Sequence, residues 1–115
     1  MRYLMIHWID EAALNAEGTE FEIEVGEWAA EMDRRSVRLH GEPLRSVSGA
    51  ATVRIRGGEV LVSDGPFAET KEQIAGFDLL ECASMAEAAE IASQHPTARI
   101  GTFELRQIWD GAGQR

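Results

Sequence analysis

The sequence predicts an α+β fold: a ferredoxin-like βαββαβ sandwich with an added β-hairpin, its sheet antiparallel and both helices on one face. Three observations carry this. Tyr3 to Ile9 alternates at the period of a strand. Phe21, Val25, Trp28 and Met32, with Ala29 beside them, recur at helical spacing. Ala51–Arg56 and Val60–Ser63 flank Gly57-Gly58, a pair that can take the positive φ of a tight hairpin turn.

In β order along the chain, Leu4, Ile6 and Trp8 face one way from the first strand, and Tyr3, Met5, His7 and Ile9 the other. Asp10 to Thr19 reads as a polar connection. A helix over Phe21–Leu39 follows, with Glu20, Glu22, Glu24, Glu27 and Glu31 early and Arg34, Arg35 and Arg38 late, as the helix dipole favours. His40-Gly41 is its expected stop. Pro43 makes Glu42 extended, so Glu42–Val47 is expected to be an extended stretch. After the hairpin, Gly76–Cys82 is the next strand. Ser84-Met85-Ala86-Glu87 is a capping box that opens a second helix, packed through Ala88, Ile91 and Ala92 and ended by Pro96. Gly101–Trp109 is the last strand. Residues 1–110 form one domain and 111–115 a flexible tail.

At 115 residues the chain holds one core. A net charge of -9 disfavours nucleic acid and anionic membrane as partners. The one cysteine, Cys82, cannot form an internal disulfide, which suits a cytoplasmic protein. Two helices cover one face of the sheet. Tyr3, Met5 and Ile9 are therefore expected on the open face, where an apolar surface calls for sheet-to-sheet packing in a homodimer.

The densest polar stretch is Asp64-Gly65-Pro66-Phe67-Ala68-Glu69-Thr70-Lys71-Glu72-Gln73, which contains the single lysine of the chain. Turn chemistry accounts for its first half. Asp64 can accept the amide of Phe67 or Ala68, Gly65 allows unusual geometry, Pro66 fixes φ, and Phe67 is expected to anchor the loop in the core or a dimer seam. Glu69, Thr70, Lys71 and Glu72 could form a loop-stabilising ion pair, bind a small polar ligand or reach a second subunit.

This run resembles the signature of the YCII-related, DGPF-domain family. The resemblance extends over the Tyr3–Ile9 strand, Gly41-Glu42 with Leu44, Thr52-Val53-Arg54, Val60–Val62, Gly76-Phe77 and Glu104-Leu105-Arg106. It implies the fold of the dimeric ferredoxin-like α+β barrels. Most members have no assigned activity. Some relatives are proposed enzymes because a His on the first helix pairs with an Asp near the end of the second. Here Phe21–Leu39 contains no histidine and the second helix closes on Ser93-Gln94-His95-Pro96, so that pair does not carry over. Members of this branch are often encoded beside alternative sigma factors, which implies a regulatory or accessory role.

The first reading is thus a protein that binds a small polar molecule, with or without catalysis, in a cleft bordered by His7, Trp28, Glu42 and the loop residues Asp64, Gly65, Pro66, Phe67, Glu69, Thr70, Lys71 and Glu72. The alternative is a non-catalytic interaction module. His7 could be a base or a ligand contact, against the commoner role of a satisfied interior histidine. The three histidines show no close metal-ligand spacing, and neither a metal nor a cofactor is expected.

Overall fold

In the computed structural model, which describes residues 1–115, the alternating N-terminal run forms β1 (Arg2–Ile9) at the middle of the sheet. A short helix α1 (Glu11–Asn15) follows at once, capped by Asp10, whose carboxylate accepts the Ala12 amide at 3.0 Å. The polar connection expected over Asp10–Thr19 therefore contains a helical turn that one aspartate is enough to start.

The apolar stripe forms α2 (Thr19–Arg34), and Phe21, Trp28 and Met32 are buried as their spacing requires. The helix ends five residues earlier than the expected Leu39. Ser36 adopts a left-handed φ of 58°, its amide donates to Asp33 at 3.0 Å, and the Val37 amide donates to Met32 at 3.0 Å. These two bonds are a Schellman cap, with serine where glycine is usual. The chain then enters β2 (Arg38–Pro43). Arg38 and His40 consequently belong to a strand and not to a helix end. The extended stretch expected at Glu42–Val47 begins earlier and passes into a 3-10 turn at Val47–Gly49.

The hairpin is β3 (Ala51–Arg56) and β4 (Glu59–Asp64), with Gly57 and Gly58 at φ 58° and 81°. It forms a separate two-stranded sheet that stands away from the body. Next come β5 (Gln73–Glu81), α3 (Met85–Ser93), a 3-10 turn over Pro96–Arg99, and β6 (Thr102–Gln107). Ser84 caps α3 by accepting the Glu87 amide at 3.2 Å, and Glu87 reaches back to the Ala83 amide at 3.1 Å. Trp109 lies beyond β6, half exposed, with its indole donating to the Ala112 carbonyl.

The main sheet has the order β2-β5-β1-β6, and every neighbouring pair is antiparallel. With the hairpin set aside, this is the ferredoxin-like βαββαβ order. Tyr3, Met5 and Leu80 of the sheet pack with Trp28, Met32, Ala88, Ile91 and Ala92 of the helices. Tyr3, Met5 and Ile9 thus lie under the helices and not on the open face. Alternation separates the two sets correctly, but only the helices decide which set they cover. Leu4, Ile6 and Trp8 take the open face, opposite Leu79, Phe77 and Ile74 of β5.

Candidate functional site

Because β1 alternates, the face that buries Tyr3 and Met5 also carries His7 inward. His7 stands opposite Gly76, and Met5 opposite Asp78, so the His7 and Asp78 side chains are diagonal neighbours on one face. His7 Nε2 donates to Asp78 Oδ2 at 2.6 Å. The other carboxylate oxygen accepts Arg38 Nε at 2.7 Å. Arg38 Nη1 donates to both oxygens of Asp33 at 3.1 and 3.2 Å, and Nη2 to the Gly41 carbonyl at 3.1 Å. A chain of charge-assisted bonds therefore runs from Asp33 at the surface to the imidazole of His7.

Two glycines make room for it. A Cβ at Gly41 would collide with the Asp78 carboxylate and lie 2.9 Å from Arg38 Nη2. One at Gly76, beside His7, would lie 2.9 Å from the Glu42 carbonyl. Asp78 is only 5% exposed, and its charge is balanced by Arg38 and by the His7 N–H. Burial opposes the positive charge of Arg38, but its bonds to Asp78 and Asp33 outweigh that and hold its pKa above the ordinary value.

Four rings meet beside this chain. His95 lies edge-on to His7 (4.9 Å between centroids), to Trp28 (4.7 Å) and to Phe103 (5.1 Å), and Phe103 lies 4.6 Å from His7. Trp28 is fixed by its indole N–H, which donates to the Ile91 carbonyl at 3.1 Å. His95 heads the Pro96–Arg99 turn and accepts the Thr97 amide on Nδ1 at 3.0 Å. Burial first, then the nearby His7 and Arg38, lower its pKa to about 4, so it is neutral at physiological pH.

His7, Asp78, Arg38, Trp28 and His95 line one cavity of about 550 Å³ between α2 and the sheet. Ile9, Phe21, Val25 and Trp28 supply its apolar wall and Glu17 and Glu22 its acidic margin; Glu42 borders it from β2, but its position opposite Phe77 turns the carboxylate to the open face, beside His40. No side-chain nitrogen or oxygen in the protein is both sealed from solvent and unpaired. His7 Nδ1 and His95 Nε2 have no protein partner, so both remain open to solvent. The carboxylate fixes the His7 proton on Nε2, which leaves Nδ1 with a lone pair. That arrangement suits a general base oriented by a carboxylate.

Of the residues expected from the sequence, His7, Trp28 and Glu42 meet at this cavity, and none of the Asp64–Glu72 residues lines it. Asp64 does not accept the Phe67 or Ala68 amide. The turn is held by the Gly65 amide donating to the Ala50 carbonyl (2.7 Å) and by the Thr52 hydroxyl donating to the Gly65 carbonyl (3.1 Å), with Gly65 at φ 95°. Pro66 and Phe67 pack against β3, but Phe67 is 78% exposed under the Arg54 guanidinium and anchors nothing in the core. Lys71 forms no ion pair with Glu69 or Glu72. The Thr70 hydroxyl donates to the Glu72 carbonyl, and Gln73 braces the loop through the Ala68 carbonyl.

Sequence reasoning missed Asp78, Arg38, His95 and Phe103. The absence of a helix histidine was sound, but an imidazole and a carboxylate pair all the same, from β1 and β5. The signal was Asp78 itself, a carboxylate on the core side of a strand. His7, Asp78 and His95 also bring three potential metal-ligand atoms within 4.8 Å of one another. Spacing along the chain could not reveal that cluster. As a metal site it is poorly prepared: both Asp78 oxygens are engaged, and the amide on His95 Nδ1 keeps the ring proton on Nε2.

Comparison with known proteins agrees with the signature. An uncharacterized protein of Rhizobium meliloti (strain 1021) is 37% identical over 114 residues, covering 94% of this chain and 92% of its own. A solved structure of 5-chloro-2-hydroxyhydroquinone dehydrochlorinase from Burkholderia phenoliruptrix AC1100, in complex with 2,5-dihydroxybenzoquinone, aligns over 96% of both chains at 12% identity. Its TM-score of 0.49 is too low for any inference about this chain. The family model of the YCII-related domain matches residues 1–111. The chain is a member of the YCII-related domain family.

Proposed function

We propose that this protein is a proton-transfer enzyme acting on a small polar molecule in the cavity between α2 and the sheet. His7 Nδ1 is the base, and Asp78, backed by Arg38, orients it and stabilises the imidazolium that forms. The observation that carries this is the His7–Asp78 bond of 2.6 Å at the wall of a cavity of about 550 Å³. General-base catalysis of this kind contributes about 10²–10⁴ in rate. The test is incubation of pooled small metabolites with the protein in D2O and mass spectrometry for deuterium at carbon. Uptake by some compound with the wild type, lost with His7→Asn and strongly reduced with Asp78→Asn, is expected. Equal uptake with His7→Asn, or none with the wild type, rejects this activity.

We further propose that the protein works as a homodimer joined through the open sheet face, in the reducing cytoplasm where its free Cys82 stays a thiol. A compact monomer of 12.7 kDa exposes about 6,200 Å². This chain exposes 7855 Å², with a radius of gyration of 16.2 Å against about 13 Å for a compact domain of its length. The exposed Val53, Ile55, Val60 and Val62 of the hairpin also favour the second reading, a non-catalytic interaction module. The deuterium test separates the two, since such a module exchanges nothing.

A further inference from the structure

His95 takes no part in the proton transfer proposed above, yet it is built into the cavity with unusual constraint. It is 3% exposed and enclosed by three aromatic rings. A backbone amide can only donate, so the 3.0 Å bond from Thr97 leaves the Nδ1 lone pair facing that amide. The single proton of the neutral ring is then on Nε2, which has no protein partner and is not sealed off. We propose that His95 Nε2–H is the donor that receives a carbonyl oxygen of the molecule bound beside His7, and that this molecule carries no net negative charge.

The charge rule follows from the lining. Glu17, Glu22 and Asp78 border the cavity, and Arg38 is its one cation. Each nitrogen of Arg38 already donates, Nε to Asp78, Nη1 to Asp33 and Nη2 to the Gly41 carbonyl, and its charge is shared by two carboxylates. A carboxylate or phosphate would meet the carboxylates of Glu17 and Glu22, and the one cation is already paired with Asp78 and Asp33, whereas an uncharged or cationic molecule is not repelled. The donor suits the proposed chemistry. When His7 Nδ1 takes a proton from the carbon beside the carbonyl, the C–H electron pair becomes the carbon–carbon double bond and the carbonyl π pair moves onto the oxygen, giving an enolate. A neutral N–H already aimed at that oxygen stabilises it without giving up its own proton, and such a donor is worth about 10²–10³ in rate. Return of the proton from His7 restores the base.

This inference rests on the cavity being the ligand site, and its test distinguishes the two. The protein is prepared with 15N-labelled histidine and examined by NMR with three probes of one shape: acetophenone, ethylbenzene, which lacks the oxygen, and benzoate, which adds the charge. The His95 ring is expected to show a protonated Nε2 and a bare Nδ1 throughout about pH 5–8. Acetophenone should move the His95 Nε2–H signal and bind roughly fivefold more tightly than ethylbenzene, the ratio one neutral hydrogen bond supports, and more tightly than benzoate. Equal affinity for ethylbenzene, with His7 and Trp28 responding, overturns the donor role and leaves the cavity as a ligand site. Benzoate binding as tightly as acetophenone overturns the charge rule. Silence at His7, Trp28 and His95 with all three probes overturns the ligand site, and the inference with it. His95→Asn keeps an oxygen for the Thr97 amide in a favoured cap and removes the reach of Nε2–H. Folded by circular dichroism, it should bind acetophenone and ethylbenzene alike, and a preserved preference overturns the assignment.

Discussion

Burying an imidazole costs stability wherever the unfolded chain can take up a proton that the folded chain refuses. In the unfolded chain His95 is protonated below its ordinary 6.5, and in the fold it stays neutral down to about 4. Between those values the unfolded state binds the extra proton. Stability from this residue is therefore fully present above about pH 6.5 and falls as the pH drops to about 4, by at most roughly 3 kcal/mol. Urea titrations of wild type and His95→Asn across this range should show a steeper loss in the wild type; parallel curves would reject the assignment. At Asp78 the risk is a buried charge without a partner. Arg38→Leu should cost about 3 kcal/mol or more by urea midpoint, because Asp78 loses its main counter-charge. Gly41→Ala forces the Asp78 carboxylate aside and should cost about 1–3 kcal/mol. It should also release the His7 tautomer in 15N spectra, which a change of stability alone leaves intact.

Helix α2 shows what an element's ends decide. Its stripe was legible because Phe21, Trp28 and Met32 must share one side to be buried. Its end was not, because a left-handed cap on Ser36 has no glycine to announce it. Periodicity alone extends the helix to Leu39 and assigns Arg38 to the helix dipole, whereas Arg38 is the partner of Asp78. Ser36→Gly should stabilise the fold by roughly 1 kcal/mol, since glycine takes φ 58° without strain and returns only part of the gain as unfolded-state entropy. A lower urea midpoint for that variant would mean the serine side chain matters more than its backbone. The hairpin, by contrast, was fully legible, because Gly57 and Gly58 adopt the two positive φ values that its turn demands.

The whole molecule is flat, 48 × 43 × 19 Å, and buries only 18 of its 115 residues, so much of its apolar surface is exposed. A second copy of the sheet is the proposed cover. Leu4, Ile6 and Trp8 of β1 and Ile74, Phe77 and Leu79 of β5 are apolar residues of that face. Ile6→Glu at its centre should shift the sedimentation coefficient from dimer to monomer and lower the melting temperature, while leaving the His7–Asp78 bond on the opposite face in place. A wild type that sediments as a monomer rejects the dimer, and a dimeric Ile6→Glu moves the seam elsewhere, with the hairpin the next surface to alter.

By itself the sequence determined the family, through the Asp64–Gln73 signature, and the ferredoxin-like order of elements, through period, caps and glycine turns. These are local properties, set by backbone sterics and by the spacing of apolar side chains along a few residues. It also singled out His7, Trp28 and Glu42, which do meet at one cavity. Only the tertiary structure decided which face of β1 the helices cover, that the signature loop stays clear of the cavity of its own chain, and that His7, Asp78, Arg38 and His95 converge. Those facts depend on strand register, helix ends and the side of the sheet on which α2 and α3 pack. Each is settled by contacts between segments far apart in the chain, where no single stretch of sequence carries the information.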